Sequence, residues 1–416
     1  MTNQNTKNLI KNIHYSKTPY HCVKLVSEIL DKKGFIRLEE KDEWEIKTDG
    51  QYYIIRADSS LIAFSLNGVP KAFNIIAPHT DSSCLKIKSN PDMTAGGLHK
   101  LNCEVYGSPI MSSWLDRKLK IAGRAFYKDK KGFSSKLIES DYNVIIPNIA
   151  LHLNREVNNA YKFNPQKDLL PVAGLGKGDI KDLVGDAISY DLFVIADEEG
   201  YTFGRDNALF AAPRLDDLSG VFGALEGFIA YPKGQSGAVN VMALFDNEEV
   251  GSLTRQGAAS TFLFDALTRI VLSQGGGQED FRRVLARSFL LSLDGAHATH
   301  PNHPELSDPT TSTELGGGVA IKHHANYHYT TDAISTAYIK DLFNAAGVKH
   351  QDMHVRSDLR AGGTLGSVSS GRVSIMAADI GLPQLAMHSA VEVACCADFD
   401  EVIGSAKTFY KNFRLD

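Results

Sequence analysis

The sequence contains no stretch of about 18 consecutive apolar residues, the length a membrane-spanning helix needs, so no membrane partner is expected. It also lacks a basic run. With a formal net charge of −5, nothing invites a phosphate backbone or an anionic surface, which argues against nucleic acid. The five cysteines, Cys22, Cys84, Cys103, Cys395 and Cys396, are scattered and never form a CxxC pair. Neither a disulfide framework nor a thiolate zinc site is expected from them. HExxH and GxSxG are absent, which removes the helical zinc protease and the nucleophile-elbow hydrolase. The glycine-rich GLGKGD lacks the spacing and final Ser/Thr of a phosphate loop. No repeat is evident. The N-terminus, MTNQNTKNLIKN, has no apolar block of a secretory signal, so a cytoplasmic protein is expected.

What is present is a large globular composition, 416 residues with 43% hydrophobic, enough for two or three domains. Apolar runs predict strands at 35–39, 52–57, 61–66 and 71–77 after a helix at 22–33. From Pro213 onward helical and strand-like segments alternate. Helices are expected at 217–231, within 258–286, at 331–346 and after Ala390, with strands at 239–245, 289–293, 319–322, 353–355 and 373–377. This alternation predicts a helix-covered mixed sheet. Between Ser89 and Arg205 the texture is different, with strand-like pieces and many turns but no regular alternation. An inserted, mainly β domain at 89–205 is expected there, with 1–88 and 206–416 forming the other, discontinuous domain.

Chemistry collects where the apolar runs stop. FDNEEVGS places Glu248 and Glu249 together just past the 239–245 run. Adjacent carboxylates repel unless a proton or a cation is near, which suggests one metal ligand and one proton carrier. An isolated Glu-Glu is more often a solvated turn, but other segments supply partners: His79 and Asp81 in APHTDSS, Asp216 and Asp217 in RLDDLSG, Asp294 in SLDGAHATHPNH, and His388 in MHSA. Oxygen and imidazole donors without thiolate suit zinc, with manganese or cobalt as substitutes. So many acids fit two ions sharing a carboxylate better than one ion.

The blocks APHTDSSCLKIK, YGSPIMSSWLDRKLKIAGR, APRLDDLSG, FDNEEVGS, AHATHPNH and PQLAMHSA, in this order across nearly the whole chain, resemble the aspartyl aminopeptidase family, which includes the yeast vacuolar aminopeptidase. The resemblance implies an α/β zinc-exopeptidase-like catalytic domain, plus an inserted domain for dimerisation and assembly into a tetrahedral dodecamer. It implies two Zn2+ per chain, with His79 and Asp294 on one, Glu249 and His388 on the other, and Asp216 between both. Glu248 becomes the general base acting on a bridging water, Asp81 orients the His79 imidazole, and Asp217 is left as a helix cap. Less directly, His152 in NIALHL matches a histidine that reaches a neighbouring subunit's site to stabilise an oxyanion. Lys322 in GGGVAIKHH matches a lysine that meets an acidic substrate side chain. His297, His300 and Asn302 are expected in the pocket wall. The implied reaction is removal of an N-terminal Asp or Glu from peptides with a free N-terminus. A carboxypeptidase or N-acyl amino acid deacylase would share the metal set, and a non-catalytic cargo-binding shell would share the fold. Retention of Glu248 with every ligand argues against the shell.

Overall fold

Strands that are apolar on both faces must be covered on both faces, and the longest runs show this directly. All seven residues of Ala238–Leu244 and all five of Phe289–Leu293 are buried. The computed structural model describes residues 3–130 and 132–415. Its centre is a nine-stranded mixed sheet in the order Ile36–Leu38, Gln51–Arg56, Ser60–Ser65, Ala238–Leu244, Ala72–Ala77, Phe289–Leu293, Met376–Gly381, Val319–His323, His350–His354. Ala72–Ala77 lies between Ala238–Leu244 and Phe289–Leu293 and is parallel to both, so the three carboxyl ends lie side by side.

Side chains leave these strands alternately to two cores. On one face Met242, Leu244 and Phe289 pack with Leu218, Phe228, Val402 and Phe409 of the helices Leu215–Ala230 and Cys396–Asn412. The other face packs Val241, Ala243 and Leu290 against Phe262–Ser273 and Gln278–Leu285. Each fully buried Leu or Phe contributes about 1.5–3 kcal/mol. Gly223 and Gly227, one turn apart, let Leu215–Ala230 approach Cys396–Asn412 closely: a Cβ on either would lie 2.6 Å from Val402 or Ala406. That approach fixes the helix whose first turn carries Asp216.

A second sheet, six strands and wholly antiparallel, is formed by Gly132–Val144, Leu119–Asp129, Ser189–Ala196, Cys84–Ala95, Leu98–Tyr106 and Val172–Leu175. It has its own core around Trp114, Ile121, Leu192 and Val194. The segment expected as an insert falls largely on it. A third sheet of five short strands joins Tyr201–Phe203, Leu209–Ala212, Glu392–Cys395, Pro383–Leu385 and Ala296–His297.

Several elements differ from expectation. The helix Gln4–Tyr15 was not anticipated, because its buried face is only Thr6, Leu9 and Ile13 in a polar sequence. The strand expected at 373–377 starts at Met376: Val373 closes the helix Leu365–Val373, and Ser374 turns the chain at φ +59°. Glu392–Cys395 is a strand, and the last helix starts only at Cys396.

Candidate metal and catalytic site

The three parallel strands end in the residues that carry chemistry, as α/β sheets favour. His79 follows Ala72–Ala77 and still bridges to Phe245, while Glu248 and Glu249 form the turn after Ala238–Leu244 and Asp294 follows Phe289–Leu293. Asp81 ties these ends together. Its Oδ1 accepts from the Glu248 N–H (3.1 Å), and its Oδ2 from the Glu249 N–H (3.2 Å) and the Tyr106 hydroxyl (2.8 Å). Oδ1 also lies 3.3 Å from His79 Nδ1, in keeping with an orienting role. Tyr106 comes from the antiparallel sheet and also accepts from Asn247 Nδ2 at 2.8 Å. The Glu-Glu turn is therefore braced from two sheets.

The third sheet brings the other donors. Leu209–Ala212 leads through Arg214 (φ +58°) to Asp216, which precedes the helical turns. His388, at φ +66°, lies in the loop joining Pro383–Leu385 to Glu392–Cys395. Positive φ at a non-glycine residue costs of order 1–3 kcal/mol and tends to cluster where function demands it. Arg214, Asn247 and His388 show such a cluster here.

Four distances define the centre. His79 Nε2 lies 3.3 Å from Asp216 Oδ1 and 3.6 Å from Asp294 Oδ1; His388 Nε2 lies 3.5 Å from Asp216 Oδ2 and 3.4 Å from Glu249 Oε2. Charge-assisted hydrogen bonds are shorter, about 2.7–2.9 Å. Ligands arranged tetrahedrally around zinc, by contrast, sit about 3.3–3.6 Å from one another. Both Nδ1 atoms face main-chain oxygens, of Asp81 for His79 (3.1 Å) and Ser108 for His388 (3.1 Å). Those carbonyls favour a proton on Nδ1 and leave each Nε2 lone pair aimed at carboxylate lone pairs. Such a confrontation calls for a cation. Asp216 Oδ1, buried, accepts no hydrogen bond at all. The donor set therefore fits zinc.

Titration agrees in direction. Burial alone would lower the His388 pKa, but Asp216 and Glu249 outweigh it and push it up to about 10. Glu248 is pushed up to about 8, first by burial and then by Asp294, Asp81 and Glu249, with His79 opposing. Bound cations would lower both.

Asp217 completes the picture as a cap. Its Oδ1 accepts from the Gly220 N–H and its Oδ2 from the His79 N–H, each at 3.2 Å. Groups of donors close enough to hold an ion are His79, Asp217 and Asp294 on one side, and Asp216, Glu249 and His388 on the other. Among the described residues of these groups, Asp216 reaches both imidazoles.

Lys322 is 2% exposed rather than free at a strand end. Its ammonium donates to Gly295 O (2.8 Å), lies 3.3 Å from Asp294 Oδ2 and sits over the Tyr329 ring. His297 and His300 are exposed and line a cavity of about 280 Å3 with Arg356 and Arg360. His152 is exposed, outside the donor groups, between Leu151 (53% exposed) and Leu153 (83%). Sequence reasoning passed over Tyr106, the Ser108 carbonyl, Glu392, and Ser83, whose N–H and Oγ donate to Glu249 at 3.0 and 2.9 Å. Their contacts are largely to main chain, or come from the other sheets.

Residues 12–410 match the family described as Aminopeptidase I zinc metalloprotease (M18). The chain belongs to the M18 family. A probable M18 family aminopeptidase 2 of Clostridium acetobutylicum is 40% identical over 97% of this chain and 98% of its own. Among solved structures, one of the Ape4 and Nbr1 complex superposes with a TM-score of 0.93 at 30% identity, covering 98% of this chain and 85% of that one. The S. cerevisiae mApe1 dodecamer superposes at 0.85 and 28% identity, covering 97% and 95%. The expected family and mixed α/β fold are thus borne out, and the chain is an M18 zinc aminopeptidase. Among the described residues no helix is long and apolar enough to cross a membrane.

Proposed function

We propose that the chain removes single residues from peptides with a free N-terminus, using two divalent ions held by His79, Asp294, Asp216, Glu249 and His388. The observation that carries this reading is Asp216, whose two oxygens face the Nε2 atoms of His79 and His388 separately. Zinc in such a site polarises a carbonyl and lowers the pKa of water towards neutrality. Glu248 takes the proton from the attacking water and returns it to the leaving amine, and a pKa raised by its acidic, buried surroundings suits a group that must do both. Asp81 and Tyr106 keep the Glu248 turn in place meanwhile.

A preference for acidic N-terminal residues is supported by the Lys322 ammonium beside Asp294, although Lys322 would have to share that contact with a substrate carboxylate. His152 serves a neighbouring subunit's oxyanion. Its exposure between apolar Leu151 and Leu153 suits a segment covered on assembly. Dimers built through the antiparallel sheet, assembled as the yeast mApe1 dodecamer is, are the proposed form. Five free, buried cysteines suit the reducing cytoplasm. Mixing His152→Ala with Glu248→Gln chains should restore some activity. No recovery despite subunit exchange would confine His152 to its own subunit.

The deciding test compares N-terminally free with N-acylated peptides. Cleavage of the free peptides alone supports the aminopeptidase. Preferential attack on the acyl group or the C-terminal residue would instead mean a deacylase or a carboxypeptidase, and no turnover with metals restored would mean a binding shell.

A further inference from the structure

We infer that Glu392 is a positioning residue that holds the His388 half of the metal site together by clamping the backbone of two ligands at once. The inference rests on the two-ion reading above. Glu392 is 2% exposed, and it belongs to neither group of donor atoms that can hold an ion. One of its oxygens accepts from the His388 N–H at 2.7 Å and the other from the Asp216 N–H at 3.0 Å. These two residues come from segments 172 positions apart, 388 less 216, and this carboxylate joins their main chains while their side chains face each other at 3.5 Å.

The clamp is placed by register. Glu392 opens the strand that pairs antiparallel with Leu209–Ala212, opposite Ala212, so its side chain reaches the turn leading to Asp216. In the other direction its strand continues back into the loop that carries His388. Neither ligand has regular structure of its own: His388 sits at φ +66°, and Asp216 at φ −84°, ψ 106°. Without the carboxylate, two N–H groups would lose their acceptor, and the main chain of each ligand would keep only the bond its carbonyl accepts, from the Ile110 N–H for His388 (2.9 Å) and from the Ser82 hydroxyl for Asp216 (2.8 Å). A buried carboxylate needs compensation. It receives two charge-assisted bonds, and the Arg214 guanidinium lines the same small cavity of about 20 Å3.

The other half is secured differently. The His79 N–H goes to Asp217, and His79 also bridges to Phe245, so its main chain is anchored on the end of the central sheet rather than on a loop. Loss of Glu392 should therefore weaken the His388 site most, the other site feeling only the change at the shared Asp216. Glutamine is the informative replacement, because it keeps the size and one acceptor yet turns an NH2 group towards the second N–H.

The experiment is an equilibrium zinc titration of chelator-stripped protein against a chromophoric competitor, for wild type, Glu392→Gln, Glu392→Asp and His388→Ala, with melting temperatures of the metal-free chains. The wild type should take up two ions; any other number overturns the two-ion reading and is seen without any variant. Glu392→Gln should weaken one site by about tenfold to a hundredfold, the range for losing an outer partner of a ligand. That site should be the one His388→Ala weakens, with the other, reached only through Asp216, weakened by less than about tenfold and the metal-free melting temperature little changed. Saturating zinc should recover most of kcat. Glu392→Asp, which keeps the charge on a shorter arm, should fall between. Equal weakening of both sites, no weakening, or metal-free variants that fail to fold would each overturn the inference.

Discussion

The two halves of the site are built by opposite means. His79 and Asp294 stand on the ends of adjacent, fully covered strands, and the His79 side chain is 2% exposed. His388 stands on a loop between strands of three and four residues, with its side chain 29% exposed. The first half takes its geometry from the core; moving it means repacking Phe289 or Ile76. The second depends on individual bonds, from Glu392 to two N–H groups and from the Ser108 carbonyl to an imidazole. Strand ends can supply a rigid half, whereas the half that stays open to solvent has to be fixed by side chain and backbone contacts made one at a time.

The largest expected effect comes from the group that serves both halves without binding either ion. Glu248→Gln keeps size and hydrogen bonding but not basicity, and should cost about three or more orders of magnitude in kcat with both metals retained. Near-normal turnover would place the base elsewhere. Next, Asp216→Ala should weaken both ions by at least about a hundredfold, beyond the effect of an outer partner, whereas His388→Ala should weaken one. If Asp216→Ala spares either ion, the carboxylate is not shared. Lys322→Met should lower kcat/KM for Asp and Glu substrates by about tenfold to a hundredfold and affect Leu or Ala substrates much less. An equal loss on all substrates would make Lys322 a partner of Asp294 only.

The smallest step is the one per unit of pH. With the metal-free His388 pKa raised to about 10, its proton is held throughout the neutral range and must be expelled when an ion binds. Apparent affinity at that half should fall by at least about tenfold per unit as pH drops from 8 to 6. The raised pKa also means that His388 stabilises the metal-free fold below about pH 6.5, its ordinary range, and that this contribution is lost as pH rises through about 10. A pH-independent affinity would contradict the geometry of the second half.

The same division governed what could be read from sequence. Strand ends after long apolar runs exposed Glu248, Glu249, His79 and Asp294, because polar residues that stop a buried run are unusual. Asp216 and His388 follow strands of four and three residues, too short for any periodicity; their residue types marked them as candidate partners, but only the family resemblance gave them their roles as ligands. Glu392 was invisible: it falls at the start of the helix expected after Ala390, where an acid is ordinary, and its partners are N–H groups that every residue has. Lys322 was expected to meet an acidic substrate side chain, and its contact with Asp294 was not legible. Burial of its stem depends on Asp294 and Tyr329, which the chain places 28 positions before and seven after it.

The most direct test of the account is the zinc stoichiometry and affinity of wild type beside Asp216→Ala, measured by elemental analysis and competitive titration at one pH. The account predicts two ions per chain in wild type, bound in two unequal steps with the solvent-open His388 half the weaker, and both steps weakened when Asp216 is removed. One ion per chain, or a variant that still binds two with unchanged affinity, would contradict it.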